Sequence, residues 1–200
     1  VDVSEVDDAL AHLGCSADVL TLDPMTLDQV VDSVVTVGAA TQTQARATEI
    51  VDDCRARLAA VDTALGGASA RPTLVLEWTD PAFTAGHWVP DMVARAGGKC
   101  VLAQPGANSV GVDWPTITGC GAEVVLVAPC GFRLDGAADQ AGPVMAAGVL
   151  PPGAEVWAVD ADALVVRPGP RVVEGVELFA SILHPDRMGP PAPATSRRLS

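Results

Sequence analysis

Apolar residues recur along this chain in two rhythms, and the first third keeps the helical one. Val6, Leu10 and Leu13 stand at spacings of three and four before Gly14, and Ser4 with Asp7 reads as a capping box, so the pattern predicts a short helix over 5–13. Asp18-Val-Leu-Thr-Leu-Asp23 is rich in β-formers and runs into Pro24, which disfavours helix at the preceding residue; a strand is expected there. Thr26 and Gln29 form a second capping box, after which Leu27, Val30, Val31, Val34 and Val37 trace one helix face. Gly38 and Thr41 loosen that stripe, and it resumes through Ala47, Val51, Cys54, Leu58, Val61 and Leu65. Read as one unit, it predicts a long strut over 24–66, roughly 60 Å if straight at 1.5 Å per residue. Gly66-Gly67-Ala68-Ser69-Ala70 closes it.

From residue 71 to residue 184 the rhythm changes. Thr73–Leu76, Cys100–Leu102, Glu123–Val127 and Glu155–Val159 are short apolar runs without strict alternation, as expected of strands covered on both faces. Helical signals separate them: Pro90 with Gly97 behind it, a Gly- and Pro-containing stretch over Leu134–Ala147, and a last helix opened by Pro170 that repeats Val172, Val176, Phe179 and Leu183. Strand alternating with helix predicts an α/β lobe with a parallel sheet. Residues 185–200 carry no apolar period, and a disordered tail is expected.

In an open parallel sheet, ligands bind outside the carboxyl ends of the strands, so the loops after the strands come first for chemistry. The first such loop holds Trp78, Phe83, His87 and Trp88; the loop after the third strand holds Cys130-Gly131-Phe132; that after the fourth holds Asp162 and Arg167. The chain has only four Trp and three Phe, and four of those seven lie in these loops. Flat apolar groups gathered at a cleft mouth suit a large planar ligand whose polar edge is oriented by Asp, Arg and backbone amides. Pinning of long loops onto the sheet is the structural alternative for the same aromatics.

Composition narrows the choice. A hydrophobic fraction of 49% against 18% charged residues describes a globular chain, and no apolar run approaches the length of a membrane span. The net charge of -13 repels phosphate backbones and anionic lipid, which argues against nucleic-acid and membrane-surface partners. Cysteines 15, 54, 100, 120 and 130 form no CxxC pair, and with His87 they match no zinc-site spacing; the odd number fits free thiols, which leans towards a cytoplasmic setting.

The stretches EWTDPAFTAGHWVPDMVARAGG, APCGF and VDADALVVRPGPRVVEGVELFASILHP resemble the cobalamin-binding protein family, substrate-binding proteins of vitamin B12 and iron-siderophore ABC importers, and VLTLDPMTLDQVVDSVVTVGAAT resembles that family's connection between lobes. The similarity runs over about residues 4–185. It implies a periplasmic-binding-protein-like architecture in which a rigid helix joins two α/β lobes and a corrinoid is held between them without covalent chemistry. Carried onto this chain, Trp78, Phe83, His87 and Trp88 line one side of the cleft, with Phe132, Asp162 and Arg167 closing it. Cobalamin is then a ligand and no catalytic cofactor is implied; an ABC permease is the implied partner. Pro115 departs from the family, whose members often carry an acidic residue there, and this weakens the expectation of permease docking. The chain begins at Val1 and shows no export signal, so residues 1–23 are read as the remnant of a first lobe, and capture by this chain alone is expected to be weak.

Three alternatives stay open. Haem or a ferric siderophore fits the same flat, aromatic site, with the imidazole of His87 as an axial or iron ligand. A small enzyme is the competing class: Cys130 as nucleophile, His87 as its base and Asp80 or Asp162 orienting the base. The last is an inert or purely structural fragment that holds only part of a site.

Overall fold

A computed structural model describes residues 3–200. The chain runs through α1 (Val3–His12), α2 (Leu27–Ala40), α3 (Gln44–Leu65), β1 (Arg71–Thr79), β2 (Ala82–Thr84), α4 (Val89–Arg95), β3 (Gly98–Cys100), β4 (Val110–Gly111), α5 (Trp114–Thr118), β5 (Val124–Val127), α6 (Leu134–Ala146), β6 (Glu155–Val159), α7 (Ala161–Leu164), α8 (Val172–Leu183), α9 (Pro185–Met188) and β7 (Ser196–Arg198). Strand order is β4-β2-β1-β5-β6-β7, with β3 also pairing β1. β1 lies parallel to β3 and β5, and β5 to β6, which makes the expected parallel centre; β2, β4 and β7 add antiparallel edges.

Alternation along β1 divides the core. Val75 points to the face covered by α2, α3, α4 and α8, while Leu74 and Leu76 point to the face holding Ile117 of α5 and Ala141 of α6. All four residues of β5 are fully buried, which is why the central strands read as continuous apolar runs. Each such side chain contributes about 1.5–3 kcal/mol by leaving water.

The single strut does not form. Its apolar stripe is split at Thr41-Gln42-Thr43, where Thr41 N–H donates to Val37 O at 2.9 Å, Thr43 N–H donates to Gly38 O at 2.8 Å and Gln42 takes a φ of 58°. α2 and α3 fold back on each other, tied at mid-length by Arg55–Asp32 at 2.8 Å. Gly38 makes the close crossing possible, since a side chain there would collide with the Cβ of Ala47. A straight rod would leave the stripe of α2 in water; the hairpin buries Leu27, Val30 and Val31 in the core that takes Val51, Cys54, Leu58 and Val61 of α3. Arg57 of α3 then grips Glu177 of α8 with two hydrogen bonds of 2.8 and 2.6 Å.

Three further expectations differ. Residues 18–23 form no strand: no neighbour supplies a ladder, and Val19, Leu20 and Leu22 are exposed. α1 already contains Ser4, so the Ser4/Asp7 box does not mark its start; residues 1 and 2 lie outside the described residues. The segment 185–200 is ordered. α9 follows Pro185, and β7 pairs with β6 through Trp157↔Arg198, Ala158↔Arg197 and Val159↔Ser196. Arg197–Asp135 at 2.7 Å holds it from the side. Backbone pairing needs no apolar period, so the sequence pattern carried no sign of this edge strand.

Candidate functional site

Glu77 lies near the carboxyl end of β1, and the chain turns after Thr79 through β2 into a loop that brings Gly86, His87 and Trp88 back over the strand end. His87 N–H donates to Ala107 O at 2.6 Å and Gly106 N–H donates to His87 O at 3.1 Å, so this loop is laced backbone to backbone against residues 106–107. His87 itself sits in the left-handed region, φ 54°. Pro90 then opens α4, and the indole N–H of Trp88 donates to Val165 O at 2.8 Å, tying the loop to the one after α7.

These loops enclose a cleft of about 420 Å³ at the carboxyl ends of β1 and β5. His87, Trp88, Val89, Val166 and Pro168 form an apolar wall, Glu77, Ser109 and Cys130 the polar side, and Leu22-Asp23-Pro24 the segment opposite. That volume lies within the range of small-molecule sites. A second cleft of about 480 Å³ is lined by helix residues, Asp28 of α2, Asp62 of α3 and Asp91 and Arg95 of α4. Within it, Arg95 pairs with Asp62 at 3.0 Å and Asp91 accepts from Leu27 N–H at 3.0 Å.

Of the seven residues singled out from the sequence, His87 and Trp88 line the 420 Å³ cleft. Trp78, Phe83, Phe132, Asp162 and Arg167 do not. They form a linked group beside it. The rings of Trp78 and Phe132 lie 5.7 Å apart at 55°, Phe83 is the register partner of Trp78 across the β1–β2 hairpin, Asp162 N–H donates to Phe132 O at 3.1 Å, and Arg167 pairs with Asp162 at 2.6 Å. Trp78 spends its indole N–H on Asp80 O at 2.9 Å. The aromatics therefore do two jobs: Trp88 walls the cleft, and Trp78 with Phe132 pins the neighbouring loops.

The sequence reading passed over Glu77, Ser109 and Asp23. Glu77 is a carboxylate 9% exposed, directly after the apolar run Leu74–Leu76 of β1. It accepts from the Ser109 hydroxyl and, at 3.3 Å, from Gly86 N–H. Burial raises its pKa above the usual carboxylate range, opposed by those two hydrogen bonds and by the nearby His87. An acid directly after a buried apolar run was a legible signal; Ser109 and Asp23 carried none. Because folding raises the pKa of Glu77, its favourable contribution is complete below the ordinary carboxylate pKa and is lost as pH rises through the raised value. The thermal midpoint of the natural chain, relative to that of Glu77→Gln, is therefore expected to increase as pH falls through the raised value towards the ordinary carboxylate range. Scanning calorimetry of both proteins checks it, and a pH-independent difference contradicts it.

Cys130 is not prepared for nucleophilic attack. Desolvation and the neighbouring Glu77 carboxylate both push its thiol pKa up, and among the described residues no hydrogen bond joins it to His87. Asp162 is occupied by Arg167. No group of three or more His, Cys, Asp or Glu side chains is placed to hold a metal ion, and no helix is long and apolar enough to cross a membrane, among the described residues.

No family model matches the chain, and no curated protein matches it in sequence. Solved structures do match. An ABC transporter substrate-binding protein from Listeria monocytogenes superposes with a TM-score of 0.76 at 13% identity, over 90% of this chain and 72% of that one. The periplasmic vitamin B12 binding protein of Vibrio cholerae gives 0.68 at 20% identity, covering 90% and 69%, and a periplasmic heme binding protein from Pseudomonas aeruginosa gives 0.72 at 20% identity, covering 98% and 70%. The chain has a periplasmic-binding-protein-like fold. In this periplasmic-binding-protein-like chain the cleft lies where open α/β sheets place their ligands, outside the carboxyl ends of the parallel strands. The Cys130 enzyme reading finds no support in such neighbours or in the thiol's surroundings.

Proposed function

We propose that this chain is a ligand-capturing protein of an ABC importer and that its ligand is cobalamin or a related corrinoid. The observation that carries the reading is the 420 Å³ cleft at the strand ends, with the Trp88 indole beside His87 on one wall and residues 22–24 opposite. The vitamin B12 binding neighbour and the EWTDPAFTAGHWVP stretch point the same way. Capture and release require no nucleophile, and the Cys130 thiol is held in its neutral form. His87 and Trp88 would face the ring; Trp78, Phe83, Phe132, Asp162 and Arg167 would act at the rim, where the corrinoid's side chains extend beyond a cleft too small to enclose the whole ligand. Docking to a permease would use the α/β lobe's outer loops; at Pro115, which follows the N-capping Asp113 into α5, the chain offers no acid of its own.

A nanomolar site needs about -12 kcal/mol, and a lobe supplying roughly half of that binds at tens of micromolar. Titration of the purified chain with cyanocobalamin, read by calorimetry and by Trp fluorescence, is expected to saturate at one ligand per chain in that range. Absence of saturable corrinoid binding overturns the proposal, and saturation by haem in its place assigns the cleft to a different ligand.

A further inference from the structure

The cleft has a charge preference written into its lining. Two carboxyl groups face it, Asp23 from the segment opposite and Glu77 from the floor, and among the described residues no Lys or Arg lines it. Asp23 is exposed, so its charge meets an arriving ligand from the solvent side; Glu77 is 9% exposed and meets it from beneath. Arg167 lies in sequence between the two lining residues Val166 and Pro168 but donates from Nε at 3.0 Å and Nη2 at 2.6 Å to one carboxylate oxygen of Asp162. The Cys130 thiol and the Ser109 hydroxyl are uncharged, and the hydroxyl is committed to Glu77. The field of the whole chain, net -13, has the same sign as the cleft.

We propose that this cleft selects uncharged or cationic ligands and turns polyanionic ones away, with Asp23 and Glu77 as the specificity-determining groups. The proposal rests on the reading of the chain as a ligand-capturing protein and narrows it by charge class. A corrinoid whose ring edge carries carboxamides meets the lining with N–H donors for Asp23 and Glu77. A ring edged with carboxylates, as in haem, or a ferric triscatecholate, brings its negative charge against the exposed Asp23 carboxylate, with no Lys or Arg among the described lining residues to answer it.

The experiment compares five probes on the same protein at low salt and neutral pH: cyanocobalamin, the corrinoid heptacarboxylate made from it by full side-chain hydrolysis, haem, an uncharged ferric trihydroxamate and a ferric triscatecholate. The heptacarboxylate is expected to bind at least about tenfold more weakly than cyanocobalamin, which shares its ring, and that ratio is expected to shrink as salt is raised. Asp23→Asn should narrow the ratio about threefold, one charge being removed at the mouth. Asp23 is exposed in an irregular segment, so this variant tests the idea even if Glu77→Gln folds poorly. Equal binding of the amide and the carboxylate ring, haem or triscatecholate binding tighter than the uncharged probes, or an unchanged ratio in Asp23→Asn would each overturn the selection. Binding of the ferric trihydroxamate without either corrinoid overturns the proposed corrinoid ligand and leaves the charge selection standing. Binding of none of the five overturns both.

Discussion

Gly86→Ala is expected to abolish ligand capture and to cost more than about 3 kcal/mol of stability. The reason lies in backbone geometry. A Cβ on residue 86 would collide with the main-chain nitrogen of Ser109 and stand 2.5 Å from the carbonyl carbon of Asn108 and 2.8 Å from the carbonyl oxygen of Ala107. None of these atoms is the end of a side chain that can rotate away. The loop carrying His87 would have to lift off residues 106–109, breaking the hydrogen bonds of His87 N–H to Ala107 O and of Gly106 N–H to His87 O, and withdrawing Gly86 N–H from Glu77. The buried carboxylate would then lose a donor where water is scarce, which adds to the cost. Chemical denaturation and the cyanocobalamin titration measure the two effects. Gly142→Ala is the milder comparison: Gly142 lies inside α6 with open space around its Cβ position apart from the adjoining Pro143, so the helix-propensity gain of alanine is opposed by the proline ring and the change is expected to stay within about 1 kcal/mol. Natural-like stability in Gly86→Ala would show that the two loops are not locked together.

Phe179→Ala is expected to lower stability by about 3–5 kcal/mol, the range for emptying a large aromatic site in a core that only partly collapses. Phe179 is fully buried in α8 and heads the largest fully buried side chains of the described residues. It belongs to the cluster that joins α8 to α4, β5 and the α2–α3 hairpin, so its loss loosens the support under Val89 and Trp88 at the start of α4. Phe179→Leu keeps most of the volume and should cost under about 1.5 kcal/mol. Urea unfolding of the two variants gives the comparison; a loss below about 1 kcal/mol for the alanine would mean that the neighbouring aliphatic groups close the space.

Much of the architecture follows from local pattern. Three apolar runs without alternation lie in β1, β5 and β6, because a strand covered on both faces has no polar side to show; the run Cys100–Leu102 does not, since β3 forms over Gly98–Cys100 and shares only Cys100 with it. The Thr26/Gln29 capping box starts α2 as expected, with Thr26 Oγ accepting from Gln29 N–H and the Gln29 side chain reaching back to Thr26 N–H. Pro90 lies in the first turn of α4 for the same local reason. The loop that gathers rare aromatics after the first strand was legible as a candidate region, and its His87 and Trp88 line the cleft.

What local pattern could not reach is who sits beside whom. The periodicity of α2 and α3 is the same in a rod and in a hairpin; the choice fell to burial, since only the hairpin covers both stripes. β7 exists because the free edge of β6 accepts a ladder, and residues 18–23 remain unpaired because no edge is offered to them. Glu77, Ser109 and Asp23 are brought to one cleft from strand β1 and two separate loops, and the carboxylate's raised pKa comes from burial that no window of neighbouring residues contains. The sequence by itself determined the central strands β1, β5 and β6, most helices and the loop that carries His87 and Trp88, because propensity, capping and hydrophobic period act within a few residues. Only the tertiary structure decided the hairpin, the edge strand and the charge of the cleft, because packing and desolvation act between residues far apart in the chain.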